Sequence, residues 1–283
     1  MNILLLLLSC CFCQVCPVLG PSHNAQLAVG SDLPLPARSL VARKLPGGEM
    51  ARASQPARAA DGKRDDGALE GGRERSKSLV IVLHGGSWKP RPVVRLARSA
   101  MEALSSEARR SKLRLLAPLA PVECRSTVPW LEPAGEAAIM SLLDLELAER
   151  RASADRVYLA GHGSGATAAL VLASRHPERF AAVAAWSGTP PPLWDASQEV
   201  VGLASDPIPG LKGVPVYLWT GNEDPILDRG ALRFFVEGME AAAALDSTYE
   251  LLWDRGAGGH DYGQEGPREG LKFLRAHRKQ KRP

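Results

Sequence analysis

The reading turns on Arg156-Val157-Tyr158-Leu159-Ala160-Gly161-His162-Gly163-Ser164-Gly165. An apolar run, Val157 to Ala160, has the composition of a strand buried on both faces. Three alternating glycines then force a tight turn, and the Ala-rich stretch Gly165 to Arg175 that follows predicts a helix. Working outward, the same alternation repeats. Leu79 to Leu83, Leu113 to Leu119, Phe180 to Trp186, Val214 to Trp219 and Tyr249 to Trp253 read as strands. Val93 to Arg110, Glu132 to Arg151, Arg229 to Ala244 and Leu271 to Arg278 read as helices. Strands separated by helices predict βαβ units, and hence an α/β fold: a doubly wound, mostly parallel sheet with helices on both faces. Such sheets bind ligands beyond the carboxyl ends of their strands, so the informative residues are those that follow each strand.

Composition sets limits. Of 283 residues, 45% are apolar and 23% charged, enough for a large packed core. Lys plus Arg exceed Asp plus Glu by 35 to 31, a spread-out surplus that gives no cationic face for nucleic acid. Four cysteines, Cys10, Cys11, Cys13 and Cys16, crowd the N-terminus and leave Cys124 alone, so the folded part has no internal disulfide framework. Cys13 and Cys16 form a C-x-x-C pair without the second ligand pair a zinc site needs. No metal or other cofactor is implied.

The aliphatic run Ile3 to Leu8, closing at Gly20 and Pro21, reads as an export leader over residues 1–20, although Met1 and Asn2 bring no Lys or Arg. Leu7-Leu8-Ser9-Cys10 also fits a lipoprotein box, which would tether the chain to a membrane through Cys10. A mis-assigned start or an intracellular protein is the third reading. Residues 21–76, rich in Ala, Arg, Gly, Pro and Asp and poor in aromatic and β-branched residues, read as a low-complexity tether. Residues 77–283 remain as one α/β domain.

After the strands come His84-Gly85-Gly86-Ser87-Trp88, the glycine-rich turn already quoted, Thr220-Gly221-Asn222-Glu223-Asp224-Pro225, and Gly258-Gly259-His260-Asp261. In this order they resemble the α/β-hydrolase family, and within it the small dienelactone-hydrolase and phospholipase/carboxylesterase-like esterases. The resemblance runs from Leu79 to the C-terminus and is strengthened by Arg175-His176-Pro177-Glu178-Arg179-Phe180 and Ala184-Ala185-Trp186-Ser187-Gly188. It implies Asp224 as the orienting acid, His260 as the base and Gly86 as a backbone oxyanion donor, with Gly163 and Ser164 supplying the turn's N–H groups. It implies His84 as a structural support of the oxyanion loop, and a small ester or acyl compound as ligand. The connection Ser187 to Gly213, stiffened by Pro190-Pro191-Pro192, is too short for a large cap. Trp88 and Trp186, with Trp194 and Trp219, are candidate pocket walls, while His176 and His277 read as surface or helix-end residues.

One position breaks the pattern. The family motif Gly-x-Ser-x-Gly, aligned on Gly161 and Gly165, puts Gly163 in the nucleophile's slot and Ser164 one residue late. Three functions follow: an ester hydrolase attacking through a shifted Ser164, with Ser87 a weaker substitute; a pseudo-hydrolase that binds without turnover; and a peptidase of the same fold.

Overall fold

The computed structural model describes residues 68–72, 76–86, 93–121, 123–124, 126–194, 197 and 199–279. The leader, most of the tether, Ser87 and Trp88 lie outside these residues. The elements, in chain order, are β1 (Ala68–Gly72), β2 (Leu79–Leu83), α1 (Val93–Arg110), β3 (Arg114–Pro118), α2 (Pro133–Ala148), β4 (Val157–His162), α3 (Ser164–Arg175), β5 (Ala182–Trp186), β6 (Pro192–Trp194), β7 (Val200–Leu203), β8 (Val216–Gly221), α4 (Arg229–Leu245), β9 (Leu251–Gly256) and α5 (Gly266–Ala276).

Seven strands form one sheet in the order β1-β3-β2-β4-β5-β8-β9. All neighbours are parallel except β1, which runs antiparallel to β3. Strand geometry sends alternate side chains to opposite faces, and β2 shows the outcome. Leu79, Ile81 and Leu83 pack with Ile139 and Leu142 of α2, with Ala168 and Leu172 of α3 and with Phe235 of α4. Val80 and Val82 pack on the other face with Ala97 and Leu104 of α1 and Leu271 and Leu274 of α5. This is the expected doubly wound α/β sheet, and it explains why the central strands read as nearly continuous apolar runs.

Three features differ from the sequence reading. Strand β1 falls inside the stretch read as tether. The connection after β5 carries the antiparallel hairpin β6–β7. Helix α5 begins at Gly266, five residues ahead of Leu271, because Pro267 sits in its first turn, where a missing N–H costs no helical bond. Among the described residues no helix is long and apolar enough to cross a membrane.

Candidate active site

The turn between β4 and α3 brings the backbone to a sharp apex at Gly163, with φ 56° and ψ −124°. That conformation suits glycine and strains any other residue. The close approach of α3 to the sheet also demands Gly165: a Cβ there would lie 2.2 Å from the Leu83 carbonyl oxygen. The Gly163 N–H donates to the Trp186 carbonyl at 2.9 Å. It is therefore engaged in the sheet and cannot serve an oxyanion, which corrects one of the three expected backbone donors.

Asp224 follows β8 and is buried, and His260 lies in the loop after β9. The His260 ring places Nδ1 2.9 Å from Asp224 Oδ2 and 3.1 Å from Oδ1. Burial pushes the Asp224 carboxyl up. The N–H groups of Ile226 and Leu227 and the His260 contact outweigh burial and hold it below the usual carboxylate range. An ionised Asp224 fixes the proton on Nδ1 and leaves the lone pair on Nε2. The two loops are tied together: Asn222 N–H donates to the Gly256 carbonyl and Glu223 N–H to the Gly258 carbonyl. Ser187, held at φ 51°, anchors the histidine loop by donating its hydroxyl to the Asp261 carbonyl at 2.8 Å.

His260 Nε2 points at the apex. A Cβ on Gly163 would lie only 2.9 Å from it, so the imidazole has settled into the space a side chain at 163 would use. Ser164 faces elsewhere. Its Oγ accepts the Gly86 N–H at 2.5 Å. The loop bearing Gly86 is braced by His84, which is buried. His84 Nε2 accepts the Ala120 N–H, its Nδ1 lies 2.9 Å from the Gly85 carbonyl, and the Trp130 indole donates to the His84 carbonyl. Burial lowers its pKa and keeps the ring neutral, so the expected supporting role is what the geometry gives.

A cavity of about 300 Å³ opens over these groups. Gly86, His162, Gly163, Ser164, His260 and Tyr262 form one side, and Leu96, Ser99 and Ala100 of α1 form the facing wall. His162 and Tyr262 were missed by sequence reasoning. Their signal was an aromatic-type ring immediately before the apex and another two residues after His260. His162 stacks on Tyr262 at 4.6 Å and meets His260 edge-on at 4.9 Å. Burial, aided by the neighbouring His260, lowers its pKa from 6.5 to about 4.

The tryptophans stand elsewhere. Trp186, expected in the pocket wall, is 0% exposed. It lies beneath Tyr262 and against Gly266 and Gly270 of α5, because the last residue of β5 turns its ring into the α1/α5 layer. Trp219 is buried in that same layer. Trp88 lies outside the described residues. His176 and His277 occupy helix ends beside Glu136 and Glu250, as expected. Among the described residues no group of three or more His, Cys, Asp or Glu is arranged to hold a metal ion.

Comparison with known proteins agrees with this architecture. Residues 137–266, which span the apex, the acid and the histidine, match the family model Esterase, described as "Putative esterase". Comparison with curated sequences finds no match. Among solved structures, an S-formylglutathione hydrolase from Agrobacterium tumefaciens aligns with TM-score 0.53 at 17% identity, over 74% of this chain and 88% of that one. A ferulic acid esterase aligns with TM-score 0.52 at 18% identity, over 74% and 91%. A fluorophosphonate-binding serine hydrolase of Staphylococcus aureus, solved with substrate bound, aligns with TM-score 0.51 at 15% identity, over 71% and 84%. The sheet order, the sharp strand-to-helix turn and the likeness to these structures together give this chain the α/β-hydrolase fold, and its residues 137–266 are similar to the esterase family model.

Proposed function

We propose that the chain has kept the acyl pocket of an ester hydrolase and lost its covalent nucleophile, so that it binds small esters or their acids without forming an acyl-enzyme. One observation carries this reading: the apex residue is Gly163, and His260 Nε2 stands 2.9 Å from where a side chain would begin. Removing the serine of such a triad lowers kcat by about 10⁶ and leaves roughly 10³ to 10⁴ over water. Ser164 as a displaced nucleophile has weaker support. Its oxygen is engaged by the Gly86 N–H of the oxyanion loop.

The test is labelling with a fluorophosphonate probe, which reports an activated serine. The parent protein is expected to stay unlabelled, while Gly163→Ser, once His260 yields a few tenths of an ångström, gains both label and ester turnover. Labelling of the parent at Ser164 would overturn the reading. The aliphatic run Ile3 to Leu8 supports export as the setting, and detection of the chain outside the cytoplasm checks it.

A further inference from the structure

Ser164 occupies the oxyanion position with its own oxygen. By accepting the Gly86 N–H at 2.5 Å, the hydroxyl takes the donor that would otherwise face a substrate carbonyl. Its own proton finds no acceptor among the described residues, and the group lines the cavity. A hydroxyl polarised by a short bond at its oxygen is a stronger donor at its hydrogen. The oxyanion donor has in effect moved outward, from the Gly86 N–H to the Ser164 O–H, by about one hydrogen-bond length, ~2.7 Å.

With no side chain at residue 163 the nucleophile has to be free, and it rests about 3 to 3.5 Å from the acyl carbon before it attacks. His260, with Nδ1 held by Asp224, offers a bare Nε2 to that space. Resting on the reading above that no covalent nucleophile is present, we propose that the chain hydrolyses small activated aryl esters in a single displacement, with water as nucleophile, His260 as general base and the Ser164 hydroxyl as oxyanion donor.

The step balances as follows. The water oxygen bonds to the acyl carbon and gives its proton to His260 Nε2. The carbonyl π electrons move to oxygen, where the Ser164 O–H meets the developing charge. The intermediate then collapses, the bond to the aryloxide breaks, and the proton on Nε2 passes to that leaving oxygen. Acid and phenol are released, and no residue is acylated at any point. Leu96 and Ala100 give the acyl and aryl groups an apolar wall, and a cavity of about 300 Å³ suits short chains.

The experiment uses the full chain and 4-nitrophenyl acetate, with progress curves and intact mass recorded together. Expected are turnover above buffer, no initial burst and no acetyl adduct. Ser164→Ala should lower kcat by about 10² to 10³ with KM little changed, the size of effect seen when one oxyanion donor is lost. Ser164→Thr, which keeps a hydroxyl, should retain most of the rate, and His260→Ala should reduce it to background. An acetyl group on Ser164 would overturn both this proposal and the reading it rests on. No adduct and no turnover would overturn this proposal alone and leave a silent binder. An undiminished rate in Ser164→Ala, with the variant's melting curve unchanged, would remove Ser164 from the mechanism.

Discussion

Gly163 sits at the apex of the turn and Ser164 opens the helix that follows it. The conformation of the first, φ 56° and ψ −124°, costs a residue with a side chain about 1 to 3 kcal/mol and costs glycine little. Gly163→Ser and Gly163→Ala should therefore both lose about that much stability in urea unfolding, even though only the serine brings chemistry. His162 yields a pH signature. Its pKa is about 4 folded against 6.5 unfolded, so the unfolded chain takes up the proton first as pH falls. Stability from this residue is intact above pH 6.5 and declines between 6.5 and 4. The drop from pH 7 to pH 5 should be about 2 kcal/mol smaller in His162→Gln, read from denaturation midpoints at the two values. At this scale the pairing of Asp224 with His260 was legible, because each follows a strand in a fixed order. The direction of the Ser164 hydroxyl was not, since spacing carries no rotamer.

Strand β1 owes its place to an ion-pair cluster and to two glycines. The Arg114 guanidinium, buried at the start of β3, donates to Glu146 of α2, to Glu70 of β1 and to the Arg151 carbonyl. Arg151 bonds Glu146 in turn. Removing one partner of such a buried pair leaves a charge without compensation and costs roughly 3 to 5 kcal/mol. Glu146→Leu should show that loss in urea, and Arg114→Met combined with Glu146→Leu should recover much of it. The composition of residues 21–76 as a whole hid β1 within the stretch read as a tether. In the structure a Cβ on Gly71 would stand 2.6 Å from the Met101 methyl carbon, so the glycine allows β1 to lie directly against α1. Gly71→Val should push β1 away and lower the melting temperature without touching the site.

Across the whole molecule, the alternation of apolar runs and amphipathic stretches sufficed for a mostly parallel, doubly wound sheet, because the inner strands β2, β4, β5 and β8 are buried on both faces and read as apolar runs. Edges and connections were harder. β1 is a short antiparallel edge strand and β6–β7 a hairpin at one side, so neither carries that signature. The walls of the cavity, drawn from α1, the turn and the histidine loop, come from segments far apart in sequence, which no single window can join. The three glycines of the turn also differ in what they forbid. At 161 and 165 a side chain would strike backbone, while at 163 it would meet only the movable end of an imidazole. Two of the four glycine codons become serine codons by one base change, and Gly163 stands where such a change meets the least steric resistance. On the function proposed above, the barrier to a serine esterase is genetically shallow, and selection on a library of single-base variants should cross it at residue 163 first.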